Sequence, residues 1–302
     1  MSTSRHTIGT DPEFFVVDKE TGELKSAIPL IDGTKYEPKK MPGGSMIQRD
    51  NVALEFATPP AVNGQDFVSK IREAFQDVMK ELPAGYDIAP IPSANFSPEQ
   101  LDHVEAQMFG CDPDFDVWTM TQNTAPYAPD HTFRSCGAHI HVGYTEGSGN
   151  EFLLEFGGKF ATVKTMDLVH GIISTVLDSS PEAIARKKLY GKAGCHRITS
   201  YGIEYRVLSN FWLKSPQLVM LMDSLTVDVL NLVRTNKHEE MIETIGQDTI
   251  VSTINEGNVL VAKEIIDSYL MEVLSETSKD LLAMCIEKIN TFDFKKEWEM
   301  EA

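Results

Sequence analysis

Apolar residues recur every three or four positions through Gln65–Leu82. Phe67, Val68, Ile71, Phe75, Val78, Met79 and Leu82 share one face of a 3.6-residue period, opened after Gly64 and closed by Pro83. This spacing predicts a helix. Asn150–Leu177 is apolar almost throughout and predicts one long buried helix. Ser97-Pro98-Glu99 sets a cap before a proline at the first helical position, and Ser215-Pro216 opens a helix running to about Arg234. Asp248 and Ser275 to Thr277 are later start signals. Alternation of period two marks strands at Ala138–Gly143 and Gly202–Leu208. Glu13–Val17, between Pro12 and the turn segment Lys19–Glu23, and Val52–Thr58, ended by Pro59-Pro60, also read as strands. Mixed strands and helices over 1–214, then almost continuous helix over 215–302, predict an α+β fold rather than a regular βαβ repeat. No internal repeat or low-complexity linker interrupts the chain.

Polar residues inside these apolar patterns carry the candidate chemistry. In GTDPEFFVV, Asp11 and Glu13 share strand parity, while Phe14 and Val16 face the other way. Two carboxylates on one face repel unless a metal cation or an arginine lies between them, although a turn aspartate before an edge strand, with a solvated glutamate, has the same pattern. Glu55 sits inside the apolar run Val52–Phe56, costly to bury unless paired or ligated, with Arg49, Asp50 and Asn51 reading as a loop that feeds a site. In SCGAHIHVG, His139 and His141 share a face opposite Ile140 and Val142, with Gly137 and Gly143 allowing close approach at both ends. The longest constellation is ARKKLYGKAGCHRITSYGIEYRVLSNFW. Between positions 186 and 206 it holds six basic residues (Arg186, Lys187, Lys188, Lys192, Arg197 and Arg206) against the single acid Glu204. Arginine there can grip a phosphate or carboxylate at two points, and Gly191 and Gly194 suit a loop passing close to a polyphosphate. The loop lacks the lysine-serine/threonine of a P-loop.

Composition narrows the class. With 42% hydrophobic and 24% charged residues the 302-residue chain is globular rather than disordered. Twenty-seven basic residues against 45 acidic ones give a net charge of -18, which argues against a general nucleic-acid surface. The last 88 residues hold 7 basic and 17 acidic side chains, so the basic stretch before them stands out. No apolar run reaches the ~20 residues of a membrane helix, and MSTSRHTIGT has no apolar signal core. Cys111, Cys136, Cys195 and Cys285 lack zinc or redox spacing and read as free thiols of a reducing cytoplasm. Carboxylates with a histidine suit magnesium or manganese better than zinc, and metals with arginines around phosphate are the pattern of phosphoryl transfer.

GTDPEFF, the Glu55 strand, GAHIHVG and R…YGKAG-CHR…YGIEYR, in this order over residues 8–214, resemble the carboxylate–amine ligases of the glutamine synthetase and glutamate–cysteine ligase superfamily, and more closely its phage-encoded COOH–NH2 ligase group. The resemblance implies a curved antiparallel sheet with helices on its outer face and the site on its concave face. It implies a catalytic domain over 1–214; the helical region over 215–302, expected to pack on the same domain, carries none of these motifs. Asp11 and Glu13 match the acidic metal pair, with aspartate where glutamate is usual; Glu55, His139 and Glu204 match further metal ligands. His141 matches a histidine near nucleotide or substrate, and Arg206 the arginine that meets the transferred phosphate. Arg186 and Arg197 match arginines that contact phosphates, with Lys187, Lys188 or Lys192 able to substitute for Arg186.

The implied reaction uses ATP and magnesium, with manganese as an alternative. A substrate carboxylate is phosphorylated to an acyl phosphate, and an amine then displaces phosphate to leave an amide. Asp50 is the candidate base for the amine. The substrates are small-molecule or peptide carboxylates and amines, no membrane is involved, and the place of action is the cytoplasm, that of the host for a phage-encoded chain. The superfamily includes both monomers and large rings. Two rival readings use the same residues: a metal-dependent hydrolase, and a non-catalytic relative that binds a nucleotide or, through its acidic tail, a protein.

Overall fold

The computed structural model describes residues 6–107, 114–124 and 130–300, and Cys111 lies outside them. Its strands are β1 (His6–Thr10), β2 (Glu13–Asp18), β3 (Leu24–Lys25), β4 (Lys39–Lys40), β5 (Met46–Asp50), β6 (Ala53–Ala57), β7 (Tyr86–Ala89), β8 (Ser93–Asn95), β9 (Phe115–Asp116), β10 (Thr121–Gln122), β11 (Phe133–Ser135), β12 (Ile140–Tyr144), β13 (Cys195–Ile198) and β14 (Gly202–Tyr205). Two antiparallel ladders hold most of them. One runs β1-β12-β14-β13-β9-β10, the other β3-β2-β6-β5-β4, with β7 also on β2.

The ladders join through a bend. The chain leaves β1, turns at Asp11-Pro12 and continues as β2; Pro12 has no N–H to carry a ladder through. The end of β6 and the segment after it stay alongside across the bend: Ile8 pairs with Ala61, and the N–H groups of Thr58 and Phe56 donate to the carbonyls of Thr10 and Pro12. On the other flank the Glu13 N–H donates to the Gly137 carbonyl at 2.8 Å. The result is one curled antiparallel surface with helices against it, an α+β fold.

The convex face is apolar. Ile8, Phe14, Leu54, Phe56, Ile140, Val142, Ile203 and Tyr205 are fully buried there. Helix Gly64–Glu81 brings Phe67, Ile71, Phe75 and Val78 to this core; the Asn63 side chain caps it by accepting from the Asp66 N–H. Helix Pro216–Arg234 brings Leu218, Leu221, Met222 and Leu225, capped by Ser215. A smaller cluster of Phe15, Val52, Ala53, Phe96, Leu101, Ala106 and Cys136 lies at the β5–β6 turn end.

Several expectations need correction. Asn150–Leu177 is not one helix: a 3-10 turn, Glu151–Leu154, precedes helix Phe156–Leu177. Glu155 between them is extended, and Gly157-Gly158 lets the turn fold back tightly, since a Cβ on Gly158 would lie 2.1 Å from the Phe152 carbonyl oxygen. Helix Gln247–Glu256 starts after Gly246, so Asp248 lies in its first turn rather than at its cap. Arg49 and Asp50 belong to strand β5; Asn51, with φ 54°, turns the chain into β6. Phe156–Leu177 and Pro216–Arg234 are also long and apolar enough to cross a membrane, contrary to the sequence reading. Burial of 78% and 61% of these stretches within the fold accounts for that composition.

Candidate active site

Strand register builds the site. Arg197, Glu204, His141 and Gly9 stand opposite one another across β13, β14, β12 and β1. Glu13, Glu55 and Gln48 do so across β2, β6 and β5. Partners in register share a face, so both rows line the concave side. Gly9 contributes no side chain, and Asp11, from the bend, reaches the two imidazoles. Its Oδ1 is 3.0 Å from His139 Nδ1 and 3.2 Å from His141 Nε2. One ligand atom from each of Asp11, His141 and Glu204 fits within a mutual spacing of 4.8 Å. Glu204 pairs with Arg206 and, at 3.4 Å, with Arg197 Nη1; Arg206 Nε also donates to Asp114 at 3.3 Å. Glu13 accepts from the Gly137 N–H at 2.7 Å, and Glu55 from Gln48 Nε2 at 2.7 Å.

Electrostatics splits the acids into two groups. Burial opposes the charge on Asp11, but His139 and His141 outweigh it and hold the carboxyl below its ordinary range. Burial likewise opposes the charge on Glu204, and His139 and Arg206 overcome it. Burial and then the Arg206 charge push His139 down, whereas Asp11 outweighs burial and raises His141. In the second group burial outweighs the neighbouring cations. Burial and the Asp50 charge raise Glu13 to about 7. Burial with the charges of Asp11, Asp50 and Glu13 puts Glu55 well above its ordinary value, and burial raises Asp50. Oxygen-rich groups held against mutual repulsion, with imidazoles at one end, fit divalent magnesium or manganese. Asp11, His139, His141 and Glu204 could hold one ion, Glu13 and Glu55 another.

Two cavities meet at this row and share Asp11, Gln48 and Glu55. One, of about 220 Å³, is lined by Glu13, Asp50, His139, Arg134, Arg186 and Arg206 among others. The second, of about 430 Å³, is more apolar, with Thr7, Gly9, Met46, Pro60, Gly143 and Tyr201 in its walls. The Tyr201 hydroxyl lies 2.5 Å from His141 Nδ1.

The structure thus brings together Asp11, Glu13, Asp50, Glu55, His139, His141, Arg186, Arg197, Glu204 and Arg206. Lys192 is not among them: it is exposed and lines neither cavity. Lys187 turns away to donate to the Ile254 carbonyl at 2.6 Å. Arg186 is buried, donates from Nη1 to the Val207 carbonyl at 3.0 Å, and lies against Gly137 and Gly191. Arg49, on the opposite face of β5 from Asp50, pairs with Glu105 at 2.8 Å. Cys136, Cys195 and Cys285 are free and buried; burial pushes Cys195 up to about 12 and Cys136 well above its ordinary value, so neither is a thiolate nucleophile at neutral pH.

Gln48, Asp114, Arg134 and Tyr201 are site residues that sequence reasoning missed. Gln48 carries a signal: a two-residue turn at Asn51-Val52 puts it opposite Glu55.

No protein-family model matches the chain, and no curated protein matches it. Among solved structures it is similar to a bifunctional glutathione synthetase from Pasteurella multocida, at 11% identity and TM-score 0.46 over 97% of this chain and 53% of that one. It is similar to a chain in the complex between the prokaryotic ubiquitin-like protein Pup and its ligase PafA, at 11% identity and TM-score 0.42 over 99% and 68%. It is also similar to a novel glutamine synthase homolog, at 11% identity and TM-score 0.41 over 94% and 70%. The chain spans about half the length of the first of these.

Proposed function

We propose that this chain is an ATP- and magnesium-dependent carboxylate–amine ligase that forms an amide through an acyl phosphate, as the order of its motifs implies. The observation that carries the reading is the shared concave face. Acids and histidines from five separate stretches meet there, with the Glu204–Arg206 pair beside them and a cavity on either side. A metal-activated hydrolase needs the acids and histidines but not the arginines, and the arginine-lined cavity favours ligation.

In this reading the apolar cleft beside His141 and Tyr201 takes the nucleoside, and the smaller cavity takes the carboxylate substrate. Magnesium held by the acid row would neutralise the polyphosphate and leave its terminal phosphorus electrophilic. Arg206, held between Glu204 and Asp114, faces the transferred phosphoryl group, and Arg197 and Arg186 add positive charge around it. Asp50, raised by burial, lines the same cavity and takes the proton of the incoming amine. The substrates are a small-molecule or peptide acid and an amine, and the setting is the cytoplasm, that of the host if the phage-type resemblance holds.

The test supplies ATP, Mg2+ and pools of carboxylates and amines, and measures ADP. ADP release that requires both an acid and an amine is expected. Arg206→Ala should reduce it by about 10³-fold or more with circular dichroism unchanged. Phosphate release that ignores both pools would establish the hydrolase instead. Nucleotide binding that survives Glu204→Gln, with no turnover in any pool, would establish a binder.

A further inference from the structure

Behind β14, away from both cavities, lies a carboxylate that none of these steps uses. Asp167 is fully buried. It opens a π-helical turn, Asp167–Gly171, inside helix Phe156–Leu177. Such a turn carries one residue more than an α-turn and commonly marks a functional position. Asp167 Oδ1 accepts from the Tyr205 hydroxyl at 2.7 Å, and Oδ2 from Trp118 Nε1 at 2.6 Å. The Gly194 turn packs against Trp118 beside them, and its carbonyl accepts from the Val117 N–H at 3.1 Å.

Tyr205, Trp118 and Gly194 each belong to a segment that bears a site residue. Tyr205 stands between Glu204 and Arg206 and points to the convex side while they point to the concave side. Gly194 precedes β13, which carries Arg197, and Trp118 follows β9, before which stands Asp114, the second partner of Arg206. The contact is close: Gly194 has φ 81°, and a Cβ there would lie 2.3 Å from Asp116 Oδ1 and 2.8 Å from Trp118 Cδ1. Burial raises Asp167 to about 7, with its donors pulling the other way. A charge-capable group in an apolar layer is costly, and an apolar residue would pack there at less cost.

We propose that Asp167 is a positioning residue of the active site: from behind the sheet it locks β14 against the β9 and β13 segments, and so sets Glu204 and Arg206 for metal and anion. The inference takes the metal row from the proposed function but not the ligase chemistry.

Mn2+ binding, read by electron paramagnetic resonance of the free ion, tests it without any substrate. Asp167→Asn keeps the shape but turns a donor toward Trp118 or Tyr205, and should weaken Mn2+ binding about tenfold or more. Tyr205→Phe should weaken it similarly, and the double variant little further, because both break one contact. Asp228→Asn, at a buried carboxylate in the helical layer bonded to Ser275, is the control for simple destabilisation: it should lower the melting temperature and leave Mn2+ affinity unchanged. Wild-type Mn2+ affinity in Asp167→Asn overturns the proposal, as does an equal loss in Asp228→Asn. Should Asp167→Asn not fold, Tyr205→Phe decides, and unchanged affinity there overturns it. A wild-type protein that takes up no Mn2+ overturns it together with the metal row. Intact Mn2+ binding without acid- and amine-dependent ADP release sinks the ligase reading alone.

Discussion

Glu13 differs from Asp11 and Glu204 in the charges around it. Asp11 and Glu204 keep their charge because imidazoles and Arg206 stand beside them, whereas Glu13 faces Asp50 and Glu55. Its folded value near 7 lies above the ordinary 4.5, so between these values the folded state holds a proton the unfolded state has lost. The stability from this group is complete below about pH 4.5 and lost as pH rises through about 7. The metal-free protein should therefore lose melting temperature between about pH 5 and pH 8, and Mg2+ should restore more at the upper end. Glu13→Gln should flatten that slope and shrink the Mg2+ gain, as thermal melts with chelator and with Mg2+ would show. Equal slopes in variant and wild type would remove Glu13 from the metal row.

At the scale of elements, local pattern found what local physics controls. The helix read at Gln65–Leu82 forms as Gly64–Glu81 because its apolar stripe and Pro83 fix it without help. Ser215 and Ser275 cap the helices they announce. Glu13, Glu55, His141 and Glu204 are legible because parity on a strand is legible, whereas Asp11, His139 and Arg206 lie just beyond strand ends. Strands β1, β5 and β13 are not legible, because long-range partners make them strands. Arg134 joins the site through Asn51, 83 positions away, a contact no spacing reveals. In sequence the glycines of the basic stretch offer room for a polyphosphate, and the structure gives one a nearer duty. Gly191 has φ 73°, and a Cβ there would lie 1.9 Å from Arg186 Nη1 and 2.6 Å from the Val207 carbonyl oxygen. Gly191→Ala is therefore expected to strain the turn by about 1 kcal/mol or more and push the guanidinium from its seat. ADP release should fall well beyond the change in stability measured by urea unfolding. Activity falling only in step with the folded fraction would leave Gly191 a turn residue alone.

Across the whole molecule, the two sequence regions share one core. The chain returns after its helical region to the convex face behind Glu13. Phe294 packs on Phe14 and Phe75 at centroid distances of 6.0 and 5.3 Å, and Lys295 pairs with Asp87. Trp298 is 1% exposed, meets Phe75 at 5.0 Å, lies under the Arg72 guanidinium, and donates from Nε1 to the Leu213 carbonyl at 2.7 Å. Helix Pro216–Arg234 packs along helix Gly64–Glu81 from the same side, where Phe67 meets Trp212 at 5.8 Å. An acidic tail that merely docked on a finished domain would bury little of its own; this one places its last aromatic residues beneath the strand that bears Glu13. Trp298→Ala removes a large buried ring and leaves the Leu213 carbonyl without that donor, at a cost of about 3–5 kcal/mol. In urea the loss should appear as a single transition at lower concentration, with tryptophan fluorescence and far-ultraviolet circular dichroism coinciding. Two transitions, or a loss below about 1 kcal/mol, would make residues 215–302 a separate unit. Mn2+ affinity measured well below the transition should stay near that of the wild type, because Trp298 touches the sheet from behind and none of the groups on its concave face.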